Sequence, residues 1–237
     1  MAVGNKQRLN LFFIAISICF FVSCSDDDAP VASNGGGTSE VTFTDIDGNV
    51  YHEVKIGNQI WMKENLKTTH YKNGTFIPNG FNNAAWAGLG FGAYAEVNND
   101  IANTAVFGKL YNWYAVNDPR GLAPEGWHIP TDVEWGLLVL ELGGDKKAGH
   151  ALKYTYGWDN NKDSSGNGTN GSGFEALPSG LRNGLGAFGY KGQGGGWWSS
   201  TAIDTTKSWY RFVLYASPMV FKDAYGNRNG LAVRCVK

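Results

Sequence analysis

The stretch that decides the fold is GWHIPTDVEW at residues 126–135. Pro130 precedes Thr131, a good helix N-cap. Glu134 follows Thr131 by three residues, so Thr131 and Glu134 form a predicted capping box. Gly143 can end the helix in the left-handed conformation. The helix carries two apolar stripes, Val133, Leu137 and Leu140 on one and Trp135, Leu138 and Leu142 on the other. Two apolar faces predict a helix buried between layers.

Hairpin signals lie upstream of this helix. Residues 41–46 and 49–56 alternate as strands do, and Asp47-Gly48 between them is typical of a two-residue β-turn. Gly57-Asn58 then turns the chain into a third strand at residues 59–62. The N-terminal part of the domain is therefore predicted to be antiparallel β-structure.

The remaining segments are less uniform. Residues 107–116 fit either a strand or a short buried helix, and periodicity does not decide between them. A second, shorter helix is predicted at 145–153, followed by a long polar loop at 157–173. Short strands are expected from there to the C-terminus.

The N-terminus has the layout of a secretory signal. Lys6 and Arg8 precede a 14-residue apolar stretch at 9–22, and Ser23-Cys24 follows it. A membrane-spanning helix needs about 20 apolar residues, so a cleaved leader is favoured over an uncleaved anchor. The site resembles a lipobox, at which bacterial lipoproteins are cleaved and acylated on the cysteine, here Cys24. The acids at 26–28 resemble the export signal of surface lipoproteins in the Bacteroidetes.

These features divide the chain into three parts. Residues 1–24 are the predicted signal peptide with its lipobox cysteine, and 25–40 a disordered tether too poor in apolar residues to form a core. Residues 41–237 are long enough for one domain with a large core. We expect an outer-membrane protein that is held by lipid and faces the cell exterior rather than the periplasm.

The charge argues against one class of partner, and the cysteine content predicts the state of the thiol. From Val41 onward there are 18 Lys and Arg residues against 17 Asp and Glu residues, a net charge of +1 without a basic cluster. Nucleic acid is therefore not an expected partner, because its binding needs concentrated positive charge. Cys235 is the single cysteine of this segment, and its apolar surroundings predict a buried thiol.

Several motifs together identify a family. They are GKLYNW at 108–113, GWHIPTDVEW at 126–135, GTN at 168–170, GFEALPSG at 173–180 with Arg182, WWSST at 197–201 and AVRCVK at 232–237. In combination they resemble the Fibrobacter succinogenes major paralogous domain over essentially all of 41–237. That family resembles the C-type-lectin-like fold, shared with formylglycine-generating enzymes. The resemblance implies an α+β fold with two central helices packed on small, twisted antiparallel sheets with long loops.

The catalytic residues of those enzymes have no counterpart here. Formylglycine-generating enzymes use paired cysteines, and their iron-dependent relatives use three histidines. The histidines of the domain, at 52, 70, 128 and 150, lack the spacing of a metal pair, and His128 is expected to be packed and hydrogen-bonded. We therefore expect no enzyme activity, no metal and no cofactor.

Calcium is the alternative that the polar loop leaves open. Trp158-Asp159-Asn160 matches a triplet that supplies calcium ligands in many C-type lectins, where it lies close to the last strand. Here 77 residues follow it. The loop oxygens come from Asp159, Asn160, Asn161, Asp163, Asn167 and Asn170. Such residues also build ordinary polar turns, which is the interpretation we favour.

Two functions remain from this reasoning. The first is a non-catalytic binding module whose C-terminal aromatic and polar side chains bind an extracellular glycan or protein. The candidate ligand-binding residues are Tyr210, Arg211, Tyr215, Met219, Tyr225, Asn227, Arg228 and Asn229. Trp209 and Phe212, from the same segment, are expected in the core. The second function is structural, as a cell-envelope or pilus-like component without a discrete ligand.

Replacement of Cys24 tests the anchoring hypothesis. Cys24→Ala should leave an unprocessed protein that takes up no fatty acid, because both cleavage and acylation need the thiol. Metabolic labelling with a fatty-acid analogue and electrophoresis of the membrane fraction measure both. A Cys24→Ala protein that is still cleaved and labelled would contradict the assignment.

Overall fold

The computed structural model describes residues 40–237. Cys24, the signal peptide at 1–24 and residues 25–39 of the tether lie outside the described residues, so the lipoprotein hypothesis stays a prediction. The described part is α+β, as the sequence predicts. It contains no helix that is long and apolar enough to cross a membrane.

Strands make up most of the regular structure between residues 40 and 237. They are β1 (Thr42–Thr44), β2 (Val50–Ile56), β3 (Gln59–Met62), β4 (Tyr94–Glu96), β5 (Lys109–Asn112), β6 (Ser179–Arg182), β7 (Phe188–Lys191), β8 (Gly194–Ala202), β9 (Lys207–Leu214), β10 (Val220–Gly226) and β11 (Gly230–Leu231). The helices are α1 (Asn83–Ala87), α2 (Thr104–Phe107), α3 (Trp113–Val116), α4 (Asp132–Glu141) and α5 (Asp145–Leu152), with 3₁₀ turns at Val97–Asn99 and Ile101–Asn103.

The strands form two sheets. The smaller is antiparallel, in the order β1-β2-β3. The larger runs β10-β9-β8-β6-β11-β5-β4, with β7 paired to β6, and so holds eight strands. Its strands are antiparallel except at β6 and β8, which pair in parallel where Gly180 faces Gly195. The expected antiparallel pairing therefore holds for the first sheet and for all but one strand pair of the second. The expected small size is wrong for the second sheet, which has eight strands.

The N-terminal hairpins differ in their turns. The two-residue turn at Gly57-Asn58 is confirmed, since Ile56 pairs directly with Gln59. The first hairpin has a five-residue loop instead, because its last pair is Thr44 with Val50. The cause is the carboxylate of Asp45, which accepts the backbone N–H groups of Asp47 and Asn49 at 3.0 Å each and the hydroxyl of Tyr51 at 2.7 Å. A side-chain acceptor thus organises a longer loop than the Asp-Gly pair alone predicts.

The segment at 107–116 contains both of the structures left open by its sequence. Strand β5 ends at Asn112, whose side-chain oxygen accepts the N–H of Ala115 at 3.1 Å and so caps the helix α3 that follows. The second predicted helix is confirmed as α5, and the polar loop at 157–173 is confirmed as well.

Helix α4 begins at the predicted capping box. The hydroxyl of Thr131 accepts the N–H of Glu134 at 3.2 Å, and the carboxylate of Glu134 accepts the N–H of Thr131 at 2.8 Å. The prediction that both apolar faces of α4 are buried is wrong. Trp135 and Leu138 are buried, but the other stripe is exposed, at 70% for Val133, 53% for Leu137 and 72% for Leu140. The reason is that α4 packs on the sheet along one side only, and no described element covers the other.

The large sheet separates two apolar cores. Successive strand residues face opposite sides, so Trp197 and Trp198 enter different cores. Trp197 joins Trp61, Trp135 and Phe174 on the side of α4 and α5. Trp198 joins Tyr51, Tyr111, Phe212 and Cys235 on the other side. Burial raises the pKa of the Cys235 thiol, which confirms the expected structural cysteine.

The C-terminal segment joins the two sheets. Met62 donates its N–H to the carbonyl of Cys235 at 3.1 Å, and Leu66 to that of Val233 at 2.8 Å. Ala232 donates to Gly196 of β8 at 3.0 Å, and Val236 exchanges two backbone bonds with His128. Residues 232–237 therefore tie the small sheet, the large sheet and the approach to α4 together.

A comparison on one helix tests the core. Trp135→Ala should lower the free energy of unfolding by about 3–5 kcal/mol, because the indole is fully buried and donates to the carbonyl of Trp198. Leu140→Ala on the same helix should change it by less than about 0.5 kcal/mol, because that side chain is exposed. Denaturant melts followed by tryptophan fluorescence measure both. Equal losses for the two variants would refute the orientation of α4.

Candidate functional site

The candidate ligand-binding residues lie on or beside one hairpin, β9–β10, but do not converge. Tyr210 and Tyr225 occupy one face of the sheet and Arg211 the other. Tyr215 and Met219 belong to the turn at 215–219 that joins the strands. The remaining three, residues 227–229, follow the opposite end of the hairpin. At ~3.3 Å per residue the two ends are about 20 Å apart, too far for one small ligand.

Most of the candidate ligand-binding residues are buried or half-buried. Among the eight candidates, Arg211, Asn227 and Asn229 are buried. Only Arg228 is classed as exposed, and the other four are half-buried. Since β9 and β10 are regular strands, alternate residues are turned into the cores. Of the two aromatic residues expected in the core, Phe212 is buried, whereas Trp209 is half-buried beneath the ammonium of Lys222.

Arg211 serves the contact between the hairpin and α4. Its guanidinium donates to the carboxylate of Asp132 at 2.8 Å, and Lys222 donates to the other carboxylate oxygen at 2.7 Å. Burial favours a raised pKa for Asp132, but the bonds from Lys222 and Arg211 outweigh it and the pKa lies below its ordinary value. Asp132 stays ionised and pairs with both cations, which leaves the cluster with a net charge of +1. Both cations are held by this carboxylate, so the cluster serves the contact between the hairpin and α4.

The turn end of the hairpin is held by a buried lysine. Lys153 donates its ammonium to the backbone carbonyls of Leu214, Tyr215 and Ser217, at 3.1, 3.2 and 3.2 Å. Burial lowers its pKa to about 8. Tyr215 packs beside the polar loop, and its backbone N–H donates to the carbonyl of Gln193. This end of the hairpin is therefore fixed by internal contacts.

Three tyrosines form a half-exposed aromatic surface on one face of the sheet. The rings of Tyr210 and Tyr225 stack with centroids 5.1 Å apart, and Tyr190 meets Phe212 edge-on at 5.7 Å. Burial, with Asp223 as the next cause, raises the pKa of Tyr210 to about 12, so its hydroxyl is protonated at neutral pH. Tyr190 has a φ of 64°, a conformation that a bulky residue adopts only when its surroundings require it. We call these three residues the tyrosine face.

A cavity of about 450 Å³ lies at the open end of the hairpin, directly after Tyr225. Four separate segments of the chain build it: α3, the β6–β7 turn, the residues before β9, and the residues at the end of β10 and after it. Its lining consists of Tyr114, Asn183, Gly184, Leu185, Thr206, Gly226, Asn227, Arg228 and Asn229. We call this cavity the hairpin-end pocket. It brings together three of the eight candidate residues, those at 227–229.

The polar side chains of the pocket differ in how many hydrogen bonds they already make within the protein. Asn227 accepts the hydroxyl of Ser208 at 2.8 Å and donates to the carbonyl of Thr205, so its amide serves the fold. Asn229 donates to the carbonyl of Gly226 at 2.7 Å. Arg228 donates its Nε to the carbonyl of Leu89 at 3.0 Å, and its two terminal nitrogens make no hydrogen bond within residues 40–237. Arg228 is therefore the polar side chain of the pocket with most capacity to bind a ligand.

The histidines and loop oxygens serve local structure. His128 is hydrogen-bonded, as expected, since its Nε2 lies 2.6 Å from a carboxylate oxygen of Glu134. It is not packed as expected, because half of its side chain is exposed where the capping box meets solvent. In the polar loop, the side-chain oxygens of Asn167 and Asn170 accept the backbone N–H groups of Trp158 and Glu175. Between residues 40 and 237 no group of three or more His, Cys, Asp or Glu residues is placed to hold a metal ion.

Sequence reasoning did not identify seven residues of the pocket and the tyrosine face: Tyr114, Asn183, Gly184, Leu185, Thr206, Gly226 and Tyr190. One signal was present in the sequence, since Asn183-Gly184 marks a turn and the apolar Leu185 follows it. In the structure Leu185 is 77% exposed. Nothing in the sequence places that turn next to residues 227–229, which are more than 40 positions away. Their proximity is a product of the sheet order.

Comparisons with known proteins give one match. The sequence model of the Fibrobacter succinogenes major domain matches residues 54–237, more than half of the chain. No curated protein and no solved structure matches it.

Proposed function

The chain belongs to the Fibrobacter succinogenes major domain family, and on that basis we propose that it is a non-catalytic ligand-binding module on the bacterial cell surface. In this proposal Cys24 carries the lipid anchor, the outer membrane holds the protein, and the domain faces the exterior. The ligand is an extracellular glycan or protein. The observation that carries the proposal is the hairpin-end pocket.

The pocket has the size and chemistry of a binding site. Its volume of about 450 Å³ lies within the range of ~300–1,000 Å³ typical of small-ligand sites. A phenol, an exposed leucine, side-chain amides and one guanidinium line it together. Rigid aromatic contact area combined with adaptable hydrogen-bonding groups is characteristic of surfaces that recognise varied ligands.

The lining also supports a non-catalytic role. Of the nine residues that line the pocket, none is a carboxylate, histidine, cysteine or lysine. General acid–base catalysis needs a titratable group within hydrogen-bond reach of the reacting atoms. Neither a guanidinium nor a phenol is an effective base at neutral pH, so Arg228 and Tyr114 are not suited to abstract a proton.

We extend the proposal to a C-type-lectin-like fold. Helices α4 and α5 pack on the large sheet, as the resemblance implies. The C-terminal segment is hydrogen-bonded beside the N-terminal hairpins. In lectin-like folds the region that follows the strand equivalent to β8 leads into the ligand-facing loops. The hairpin-end pocket lies in that region.

One observation favours the structural alternative, a cell-envelope or pilus-like component. The exposed stripe of α4, formed by Val133, Leu137 and Leu140, is apolar and continuous along the helix. Contiguous exposed apolar surface often marks a contact with another protein. A component that packs through α4 would need no ligand in the pocket.

Binding measurements on matched variants distinguish the two functions. The whole lipoprotein, purified in detergent, is screened against immobilised glycans and extracellular proteins. Tyr114→Ala and Leu185→Ala should each weaken the binding found at least tenfold, because they remove contact surface from the pocket. Both side chains are partly or largely exposed, so the melting temperature should stay nearly unchanged. Asn227 is unsuitable for this test, because its loss would remove buried hydrogen bonds.

Leu137→Ala is the control, since it removes an exposed leucine from α4 instead. It should leave ligand binding intact. Loss of binding with Leu137→Ala but not with Leu185→Ala would refute the pocket as the site and support the structural alternative.

A further inference from the structure

We infer that the ligand of the hairpin-end pocket is an anionic saccharide that presents a carboxylate or sulfate group to Arg228. The inference rests on the proposed binding function of the same pocket and names the chemistry that the pocket selects. It follows from the state of Arg228, from the donors around it and from the internal pairing of the surrounding backbone.

Arg228 differs from the other arginines in residues 40–237. Arg120 and Arg211 pair with the carboxylates of Asp118 and Asp132. Arg182 and Arg234 are buried and lie over aromatic rings. Arg228 is exposed, and within the described chain it has neither a carboxylate within 4.0 Å nor an aromatic ring beneath it.

The guanidinium of Arg228 is nevertheless held in place. Its Nε donates to the backbone carbonyl of Leu89, a neutral acceptor that orients the group without cancelling its charge. The two terminal nitrogens are then available for the paired contact that guanidinium groups make with carboxylate or sulfate oxygens. An oriented cation at a pocket without acidic lining residues favours an anion.

The neighbouring side chains add donors. The side-chain oxygen of Asn183 accepts the backbone N–H groups of Leu185 and Ala187, both at 3.0 Å. These two bonds fix the amide orientation, so the Nδ2 group is the part of Asn183 that can donate to a ligand. With the hydroxyl of Tyr114, the pocket offers more donors than acceptors, which suits a ligand rich in oxygen acceptors.

The backbone argues for a saccharide rather than a peptide. Asn227 and Asn229 donate their N–H groups to Thr206 and Gly226, and Asn183 donates its own to Ala187, at 2.8–2.9 Å. A peptide that adds to a sheet edge needs unpaired backbone groups, and these wall groups are already paired. At these three positions recognition must come from side chains, as it does for sugar hydroxyls and carboxylates.

Matched probes test the inference. Binding of the whole lipoprotein is measured by calorimetry for an oligogalacturonide and its methyl ester, and for a sulfated galactan oligosaccharide and its desulfated form. An acidic peptide of ten glutamates is the fifth probe. At least one anionic saccharide should bind at least tenfold more tightly than its neutral partner, and the two pairs show whether carboxylate or sulfate is preferred.

Variants assign the effect to Arg228. Arg228→Gln should weaken binding of the anionic saccharide at least tenfold, so that it binds no more tightly than the neutral form. Arg228→Lys should keep part of that advantage, because the charge remains while the paired geometry is lost. Lys146→Gln, which removes an exposed cation from α5, should leave binding unchanged. Melting temperatures verify that each variant is folded.

The outcomes separate this inference from the proposed function. Suppose that neutral and anionic saccharides bind equally and that Leu185→Ala still weakens their binding. This result would overturn the anionic specificity but would support the pocket as the binding site. Preference for the glutamate peptide would overturn the saccharide. No binding of any of the five probes would overturn the inference, whereas the wider screen of glycans and proteins still decides whether the pocket binds a ligand.

Discussion

A charged guanidinium sealed in the interior is the constraint on which the rest of the structure depends. Arg234 is 1% exposed and has no carboxylate bonded to it among the described residues. Instead it donates to the side-chain oxygen of Asn65 at 2.9 Å and to the carbonyl of Phe174, and lies 4.0 Å from the ring centre of Phe174. Burial lowers its pKa to about 9, and the group remains charged at neutral pH. An unpaired buried charge is costly, so each of these acceptors must be held in place.

Asn65 connects the Arg234 guanidinium to other parts of the fold. Its side-chain oxygen also accepts the indole N–H of Trp197 at 2.8 Å, and its amide donates to the carbonyl of Phe107. One asparagine thus joins the exit of β3, strand β8 and the approach to β5. Together with the backbone bonds of 232–237, the Arg234 cluster holds both sheets in place.

The sequence could predict those parts of the structure that are determined by local interactions. The capping box of Thr131 and Glu134 and the Gly57-Asn58 turn each depend on residues close together in the chain. The first hairpin loop was mispredicted because Asp45, outside the Asp-Gly pair, sets its length. The exposed stripe of α4 was mispredicted because periodicity shows which residues share a face but not whether another element covers it.

The candidate site was predictable only in part, for a related reason. Composition located the C-terminal hairpin, yet strand alternation turned Arg211 toward α4, and the opposite ends of the strands separated Met219 from Asn229. The walls contributed by Tyr114 and Leu185 come from elements brought together by sheet order, which no local pattern encodes.

The central claim is that ligand binds at the end of the β9–β10 hairpin, and hydrogen–deuterium exchange tests it most directly. Exchange of the full-length protein is compared with and without a saturating concentration of the tightest-binding ligand. The account predicts slower exchange confined to residues 183–187, 204–208 and 225–230. Protection of the 157–173 loop or of α4, with no change at those three segments, would contradict it.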